Sequence, residues 1–186
     1  MQLKKLFTLS IFCSVLFISQ SCRGLAVDPW KNAEEIVASI QEPSFPDRSI
    51  NIRELGAKGN GVRNDLPAIM SAITMCNTAG GGTVIVPKGV YYLEGPIHFK
   101  SNIELHLQEG ARLKFSKDLA DYLPLVYTRW EGTELFNYSP LIYANNCQNI
   151  AITGKGVIDG NAVGIYKDWF KLQKLDQDRL RTMGDK

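Results

Sequence analysis

Apolar residues alternate with polar ones in several short segments, which is the pattern of half-buried β-strands. The clearest segment is residues 102–107, where Ile103, Leu105 and Leu107 fall on one face. Residues 111–115 alternate in the same way after a glycine turn. The pattern therefore predicts short strands whose apolar faces share one core.

The same strand pattern returns further along the chain. Residues 149–152 again begin with Asn-Ile and alternate, and a glycine turn and a second short strand follow within residues 154–158. Repetition of one strand–turn–strand unit is typical of a solenoid, in which stacked units bury a continuous column of apolar side chains. The repeat therefore indicates an all-β solenoid.

One segment before these strands has helical spacing instead. Apolar residues recur every three or four positions between Leu66 and Cys76, and Gly80 is placed to end the helix. Asn64 or Asp65 is expected to supply the N-cap oxygen, because a short polar side chain there accepts a hydrogen bond from the first turn. This capping role is favoured over a catalytic one for both residues.

Two further amphipathic helices are predicted near the ends of the chain. Residues 27–42 place apolar side chains on one face and fit a helical segment, residues 22–48, that caps one end of a core. Residues 168–183 are also amphipathic, and the sequence then stops without a closing cap for the solenoid. We therefore expect residues 49–186 to be the front part of a longer, truncated solenoid.

Two glycine-rich segments flank the predicted helix that begins near Leu66, and they resemble a known family. Residues 56–62 read Gly-Ala-Lys-Gly-Asn-Gly-Val, and residues 80–84 read Gly-Gly-Gly-Thr-Val. In this order, around a short helix, they resemble the opening of the parallel β-helix enzymes that degrade pectin, and above all glycoside hydrolase family 28, the polygalacturonase-like hydrolases. The resemblance implies membership of the pectate-lyase-like superfamily.

A second segment makes the resemblance to family 28 stronger than that to the lyases. Residues 139–160 contain Ser-Pro-Leu-Ile-Tyr-Ala and then Asn-Ile-Ala-Ile-Thr-Gly-Lys-Gly-Val-Ile-Asp-Gly, as these hydrolases do. Ala162 departs from the pattern, which has glycine there, and Trp169 and Phe170 stand where a Trp-Trp pair is common. The resemblance covers about residues 45–170 and implies a right-handed, single-stranded parallel β-helix with an N-terminal helical cap.

The resemblance also implies a reaction, namely inverting hydrolysis of O-glycosidic bonds in pectic polysaccharide, with carboxyl groups as acid and base. The family motifs Asn-x-Asp, Asp-Asp and Gly-His-Gly are absent from the chain. Asp159 fits a turn between strands, and Glu131 and Glu134 fit solvated positions. No catalytic residue is therefore assigned, and residues 1–186 alone are expected to be inactive.

Residues 118–138 interrupt the strand pattern and are read as a long loop rich in aromatic and charged residues. Such segments on a rigid scaffold often carry binding residues. Arg129 and Trp130 are the candidate substrate-binding residues, because an arginine fork pairs with a uronate carboxylate and an aromatic ring stacks on a sugar. Phe136 is expected to cover the side of the solenoid instead.

Two functions of other kinds stay open. The first is a non-catalytic β-helix that binds polysaccharide or acts as a structural spike. The second is a pectate or related polysaccharide lyase, because such lyases share the two glycine-rich segments. Such lyases commonly use calcium held by clustered aspartates, and this sequence has no such cluster, which argues against a lyase.

Residues 1–21 are predicted to be a signal peptide. Lys4 and Lys5 precede an apolar run, residues 6–18, which is shorter than a membrane span and is followed by small residues. Cys22 then resembles a bacterial lipoprotein acceptor, so that membrane anchoring through a lipidated Cys22 and simple cleavage are both open. The protein is expected to be exported, to the periplasm or as an outer-membrane lipoprotein, or else secreted.

Composition adds little to this picture. The chain is 45% hydrophobic and 22% charged with a formal net charge of +2, which gives no reason to expect a nucleic-acid partner. Of the four cysteines, Cys76 and Cys147 lie in the predicted solenoid and are expected to be buried free thiols rather than a disulfide. His98 and His106 are far apart in sequence, so we predict no metal site. We also expect no cofactor and a monomeric protein.

Overall fold

The computed structural model describes residues 29–130 and 132–184. The chain divides into two compact units, residues 1–42 and residues 43–186. The described part of the first unit contains helix α1 (Pro29–Ser39). The second unit contains helices α2 (Leu66–Thr78) and α3 (Ile165–Gly184), together with the strands β1 (Ser49–Asn51), β2 (Asn60–Asn64), β3 (Gly82–Val86), β4 (Gly89–Leu93), β5 (Ile97–His98), β6 (Ile103–Leu107), β7 (Ala111–Phe115), β8 (Val126–Trp130), β9 (Thr133–Asn137), β10 (Ile142–Tyr143), β11 (Ile150–Gly154) and β12 (Val157–Asp159).

The second unit contains three parallel sheets. Their strand orders are β1-β3-β6-β11, β2-β4-β7-β12 and β5-β10. The chain passes through the three sheets in turn, as from β3 to β4 to β5. The following strand, β6, then returns to the first sheet and pairs with β3. This arrangement is a parallel β-helix, and it confirms the fold class predicted from the repeat and the resemblance.

The sequence repeat corresponds to two adjacent rungs of the β-helix. Ile150 of β11 lies beside Ile103 of β6, and the pairing continues in register to the end of both strands. Just before them, Asn149 Nδ2 donates to Asn102 Oδ1 at 3.1 Å across 47 residues of sequence. Both asparagines have positive φ angles, 63° and 53°. The repeated Asn-Ile therefore marks a turn followed by a strand, and its two copies lie side by side in adjacent rungs.

Side chains of alternate strand residues fill the interior, as their pattern predicts. In β6 the first, third and fifth side chains are buried, whereas Glu104 and His106 point outward and are partly exposed. Helix α2 buries Ile69, Ile73 and Cys76. It contacts strands of all three sheets, so it closes one end of the apolar column.

The two polar residues at the start of α2 have different roles. Asn64 Oδ1 accepts a hydrogen bond from the Leu66 backbone N–H at 3.0 Å, which is the predicted capping role. Asp65 is 2% exposed and makes no side-chain bond to the helix. Its Oδ1 and Oδ2 accept instead from the backbone N–H groups of Lys58 at 2.7 Å and Gly59 at 2.9 Å. Asp65 therefore fixes the glycine-rich turn.

The interpretation of residues 118–138 as a long loop is wrong. Strands β8 and β9 form an antiparallel hairpin, and a 3-10 turn, Leu119–Tyr122, precedes it. Gly132, at φ 88°, lies in the turn between the strands, in the conformation that glycine adopts without strain. The hairpin stands outside the three parallel sheets.

The prediction of free thiols is confirmed for both described cysteines, and that of burial for Cys76. Cys76 and Cys147 are free; Cys76 is fully buried and Cys147 is half-buried. Cys147 Sγ donates to the Phe99 backbone carbonyl at 3.3 Å. Burial raises the pKa of the Cys76 thiol, so this thiol is protonated and unreactive at neutral pH.

Apolar side chains remain uncovered at the last rung and on two helices. Ile152, Val157 and Ile158 are 46%, 46% and 42% exposed. The apolar side chains of α3 and the apolar face of α1 are exposed as well. The expectation that residues 22–48 cap a core stays a prediction.

The N-terminal predictions fall outside the described part of the chain. The signal peptide, residues 1–21, and Cys22 both precede residue 29, where the description begins. Among the residues described, no helix combines the length and apolar character needed to cross a membrane.

Candidate functional site

A shallow cleft lies between the β8–β9 hairpin and the segment around β10. Its volume is about 350 Å³, at the small end of the range for ligand sites. The hairpin and the β10 segment both contribute polar and aromatic side chains. The lining residues are Tyr127, Thr128, Arg129, Glu134, Pro140, Ile142, Tyr143, Ala144 and Asn145.

The hairpin register divides the side chains between two faces of the ribbon. In the register of the two strands, Tyr127 lies opposite Phe136 and Arg129 lies opposite Glu134. These four side chains therefore share one face of the two-stranded ribbon. Trp130 follows Arg129 directly and therefore projects from the opposite face. It is 60% exposed and does not line the cleft. The structure thus places Arg129 in the cleft and Trp130 outside it.

Arg129 carries the positive charge of the cleft. Its Nε donates to the Gly132 backbone carbonyl at 3.3 Å, which holds the base of the guanidinium near the hairpin turn. Within the described residues, the terminal Nη1 and Nη2 nitrogens make no hydrogen bond and no ion pair. The planar fork is therefore available for a ligand carboxylate, which it can bind through two parallel hydrogen bonds.

Tyr127 and Glu134 lie on the same face of the ribbon. The neighbouring Glu134 carboxylate raises the pKa of Tyr127, because it favours the protonated phenol. The Tyr127 ring also meets Phe136 edge-on, at 5.7 Å between ring centroids. An aromatic surface therefore lies beside the charged groups.

Tyr143 connects the hairpin to the β-helix. Its hydroxyl donates to the Tyr127 backbone carbonyl at 2.8 Å, and Asn145 Nδ2 donates to the same hydroxyl at 2.8 Å. The Tyr143 ring lies 5.2 Å from the His98 ring on the neighbouring strand β5. Three side chains of the β-helix thus converge at the base of the hairpin.

Comparison with known proteins matches residues 49–107 to the family described as rhamnogalacturonase A/epimerase, pectate lyase-like. An exo-poly-alpha-D-galacturonosidase of Dickeya chrysanthemi is 38% identical over 120 residues, which cover 60% of this chain and 19% of the relative. The crystal structure of a hyperthermoactive exopolygalacturonase from Thermotoga maritima is 50% identical with a TM-score of 0.67, covering 70% of this chain and 29% of that one.

A family 28 exopolygalacturonase of Yersinia enterocolitica is 35% identical with a TM-score of 0.55, covering 61% of this chain and 21% of that one. The chain is therefore similar to exopolygalacturonases, one of which is a family 28 enzyme. The resemblance read from the glycine-rich segments is thereby confirmed, within the pectate-lyase-like superfamily. The chain spans between 19% and 29% of the length of these three relatives.

A second polar cluster lies on the outer face of the β1-β3-β6-β11 sheet. Glu104 accepts hydrogen bonds from the hydroxyls of Thr83 and Thr153, both at 2.6 Å, and these bonds lower the pKa of its carboxyl group. Because the Thr153 proton is used in this way, His106 Nδ1 must be the donor in its 2.7 Å contact with Thr153 Oγ1. The cluster ties three rungs together.

Asp159 has the structural role that the sequence favours. Its Oδ1 accepts from the Asn161 backbone N–H at 2.8 Å and its Oδ2 from Arg112 Nη1 at 3.1 Å, and these contacts lower the pKa of the carboxyl group. Arg112 of β7 is thus held by its bond to Asp159 at the end of β12.

The cleft holds one described carboxylate, that of Glu134. Glu131, the other glutamate of the hairpin, lies outside the described residues. No group of three or more histidine, cysteine or acidic side chains suited to a metal ion occurs in residues 29–130 and 132–184. Sequence reasoning missed Tyr127, Tyr143 and Asn145 as cleft residues, although the alternation of β8 places Tyr127 beside Arg129.

Proposed function

We propose that this chain is part of an exported hydrolase of O-glycosidic bonds in pectic polysaccharide, and that the cleft beside the hairpin binds galacturonate. The observation that carries the binding proposal is the open guanidinium fork of Arg129 in a cleft lined by Tyr127 and Tyr143. The names of the relatives from Dickeya, Thermotoga and Yersinia support the substrate class. Export is supported by the N-terminal sequence, Lys4 and Lys5 before an apolar run.

The cleft chemistry fits an acidic sugar in one orientation. The Arg129 fork would take the uronate carboxylate, since this pairing is charge-assisted and bidentate. The Glu134 carboxylate repels a second negative charge, so it would accept sugar hydroxyls instead, together with the Asn145 amide. The exposed rings of Tyr127 and Phe136 offer a surface against which the apolar face of a pyranose can pack.

Hydrolysis needs more carboxyl groups than the described part of the cleft contains. Inversion uses two carboxyl groups separated by roughly 6.5–9.5 Å, with water between one of them and the sugar. Glu134 alone lines the described cleft. In the proposed enzyme, residues 1–186 therefore supply scaffold and binding surface, and carboxylates from elsewhere supply the acid and base.

Two experiments test this division of roles. Purified residues 1–186 are expected to release no reducing ends from polygalacturonate, and turnover by homogeneous protein would show that the catalytic carboxylates lie within them. The coding DNA beyond codon 186 is expected to encode Asn-x-Asp, Asp-Asp and Gly-His-Gly in that order. Their absence would favour the second candidate, a β-helix that binds polysaccharide without cleaving it.

Replacing Arg129 by alanine is expected to weaken oligogalacturonate binding by about tenfold or more, because one charge-assisted contact is lost. The melting temperature should change little, since the side chain is exposed and bonds only to its own turn. Titration calorimetry gives the dissociation constant, and circular dichroism gives the melting temperature.

The matched control for this variant is Arg63→Ala, which removes an exposed guanidinium from β2. It changes the net charge equally and should leave binding unaffected. Arg129→Lys should recover only part of the affinity, because an ammonium group has no planar fork. Equal dissociation constants for wild type and Arg129→Ala would remove Arg129 from the binding site.

A further inference from the structure

The hairpin that carries Arg129 has few contacts of its own to keep it in place. A two-stranded ribbon is at best marginally stable alone in water. Tyr127, Arg129, Trp130 and Phe136 are all exposed, so the hairpin buries little apolar surface. Its position over the cleft must therefore depend on specific bonds to the β-helix.

The hydroxyl of Tyr143 makes such a bond, and its direction is set by its neighbours. Asn145 Nδ2 donates to Tyr143 Oη, which directs the hydroxyl proton to the Tyr127 backbone carbonyl. Tyr143 belongs to β10, whose pairing with β5 is part of the parallel β-helix. The bond thus joins the hairpin to a rigid element, two residues before Arg129.

We propose that Tyr143 is a positioning residue that latches the hairpin to the β-helix and so holds the Arg129 guanidinium where it meets the substrate carboxylate. This inference rests on the proposed function of the cleft as a galacturonate site. Tyr143 acts through Arg129, two residues along the strand from the carbonyl that it binds. The latch therefore affects acidic ligands and not neutral ones.

The variant Tyr143→Phe removes the hydroxyl and keeps the ring beside His98. We expect the amides of residues 126–137 to exchange with deuterium faster, because the hairpin opens more often. Binding of an oligogalacturonate should weaken about three- to tenfold, as expected for loss of one hydrogen bond. Binding of the fully methyl-esterified oligomer should not weaken, because it has no carboxylate for Arg129.

A double-mutant cycle tests whether Tyr143 acts through Arg129. In the Arg129→Ala background, Tyr143→Phe should cost no further affinity for the oligogalacturonate. The matched control is Tyr92→Phe, which removes a tyrosine hydroxyl from β4 in another sheet and should change neither exchange nor affinity. Additive losses in the cycle, or equal losses for the acidic and the esterified ligand, would overturn the positioning role.

The two readouts separate this inference from the proposed function. If wild-type protein binds no oligogalacturonate, the proposed function fails, and the exchange rates alone decide whether Tyr143 latches the hairpin. If hairpin exchange is unchanged in Tyr143→Phe, the latch is refuted even where the ligand binds. Faster exchange with unchanged affinity would also refute it, because the position of the hairpin would then not matter to the ligand.

Discussion

Replacing Asp65 by alanine is expected to lower the free energy of unfolding by about 3–5 kcal/mol. The carboxylate accepts two backbone hydrogen bonds, from Lys58 and Gly59, and hydrogen bonds to charged groups contribute about 1.5–3 kcal/mol each. Alanine leaves both N–H groups without an acceptor in a partly buried turn. Urea unfolding followed by circular dichroism measures the difference.

The effect should be large because Asp65 joins three parts of the structure. Its side chain holds the glycine-rich turn, and its backbone N–H donates to the Tyr92 carbonyl of β4 at 2.8 Å. Its own carbonyl accepts from Ala68 and Ile69 in the first turn of α2. Loosening this residue therefore weakens the helix that closes the end of the apolar column.

Two variants test the explanation. Asp65→Asn keeps one oxygen acceptor but loses the charge, so it should destabilise less than alanine does. Asp47→Ala removes an exposed aspartate and should fall within about 0.5 kcal/mol of wild type. If Asp65→Ala were no more destabilising than Asp47→Ala, the carboxylate would not be holding the turn.

The parts of the fold predicted correctly are those that local periodicity decides. Strand β6 alternates because every second side chain enters the core, and α2 repeats every three or four residues because one face is buried. Both signals lie within a few residues of sequence. Asn102 and Asn149 each stand directly before a strand, and this shared position predicted that the two strands stack as neighbouring rungs.

The roles of Asn64 and Asp65 could not be separated in this way. Both residues have a side-chain oxygen suited to an N-cap, and sequence alone treats them as equivalent. The structure separates them through backbone direction, which turns Asp65 toward Lys58 and Gly59. The helix boundary was therefore predicted, while the partner of the buried carboxylate depends on tertiary structure.

The candidate site was predicted in part. Arg129 lines the cleft, but Trp130 projects from the other face because consecutive strand residues alternate. Residues 118–138 were interpreted as a loop, and a loop has no such alternation of faces. The role of Tyr143 could not be predicted from sequence, because its hydroxyl binds the backbone carbonyl of Tyr127 and no side chain marks that position. Contacts of this kind require the fold.

Replacing Gly154 by alanine is expected to destabilise the protein by about 4 kcal/mol or more, at the severe end for single substitutions. Gly154 ends β11 directly beside Leu107 of β6. A Cβ at this position would overlap the Leu107 carbonyl oxygen. That oxygen cannot retreat, because the N–H groups of Lys155 and Gly156 both donate to it, at 2.9 and 3.1 Å.

The control for this variant is Gly56→Ala, because Gly56 has the same φ of 92° and a Cβ there meets nothing within 4 Å. Its cost should be only that of a left-handed backbone conformation, about 1–2 kcal/mol. The difference between the two unfolding free energies then measures the steric overlap at Leu107. Equal costs would mean that β11 can move away from β6, and that close stacking of these rungs does not require glycine.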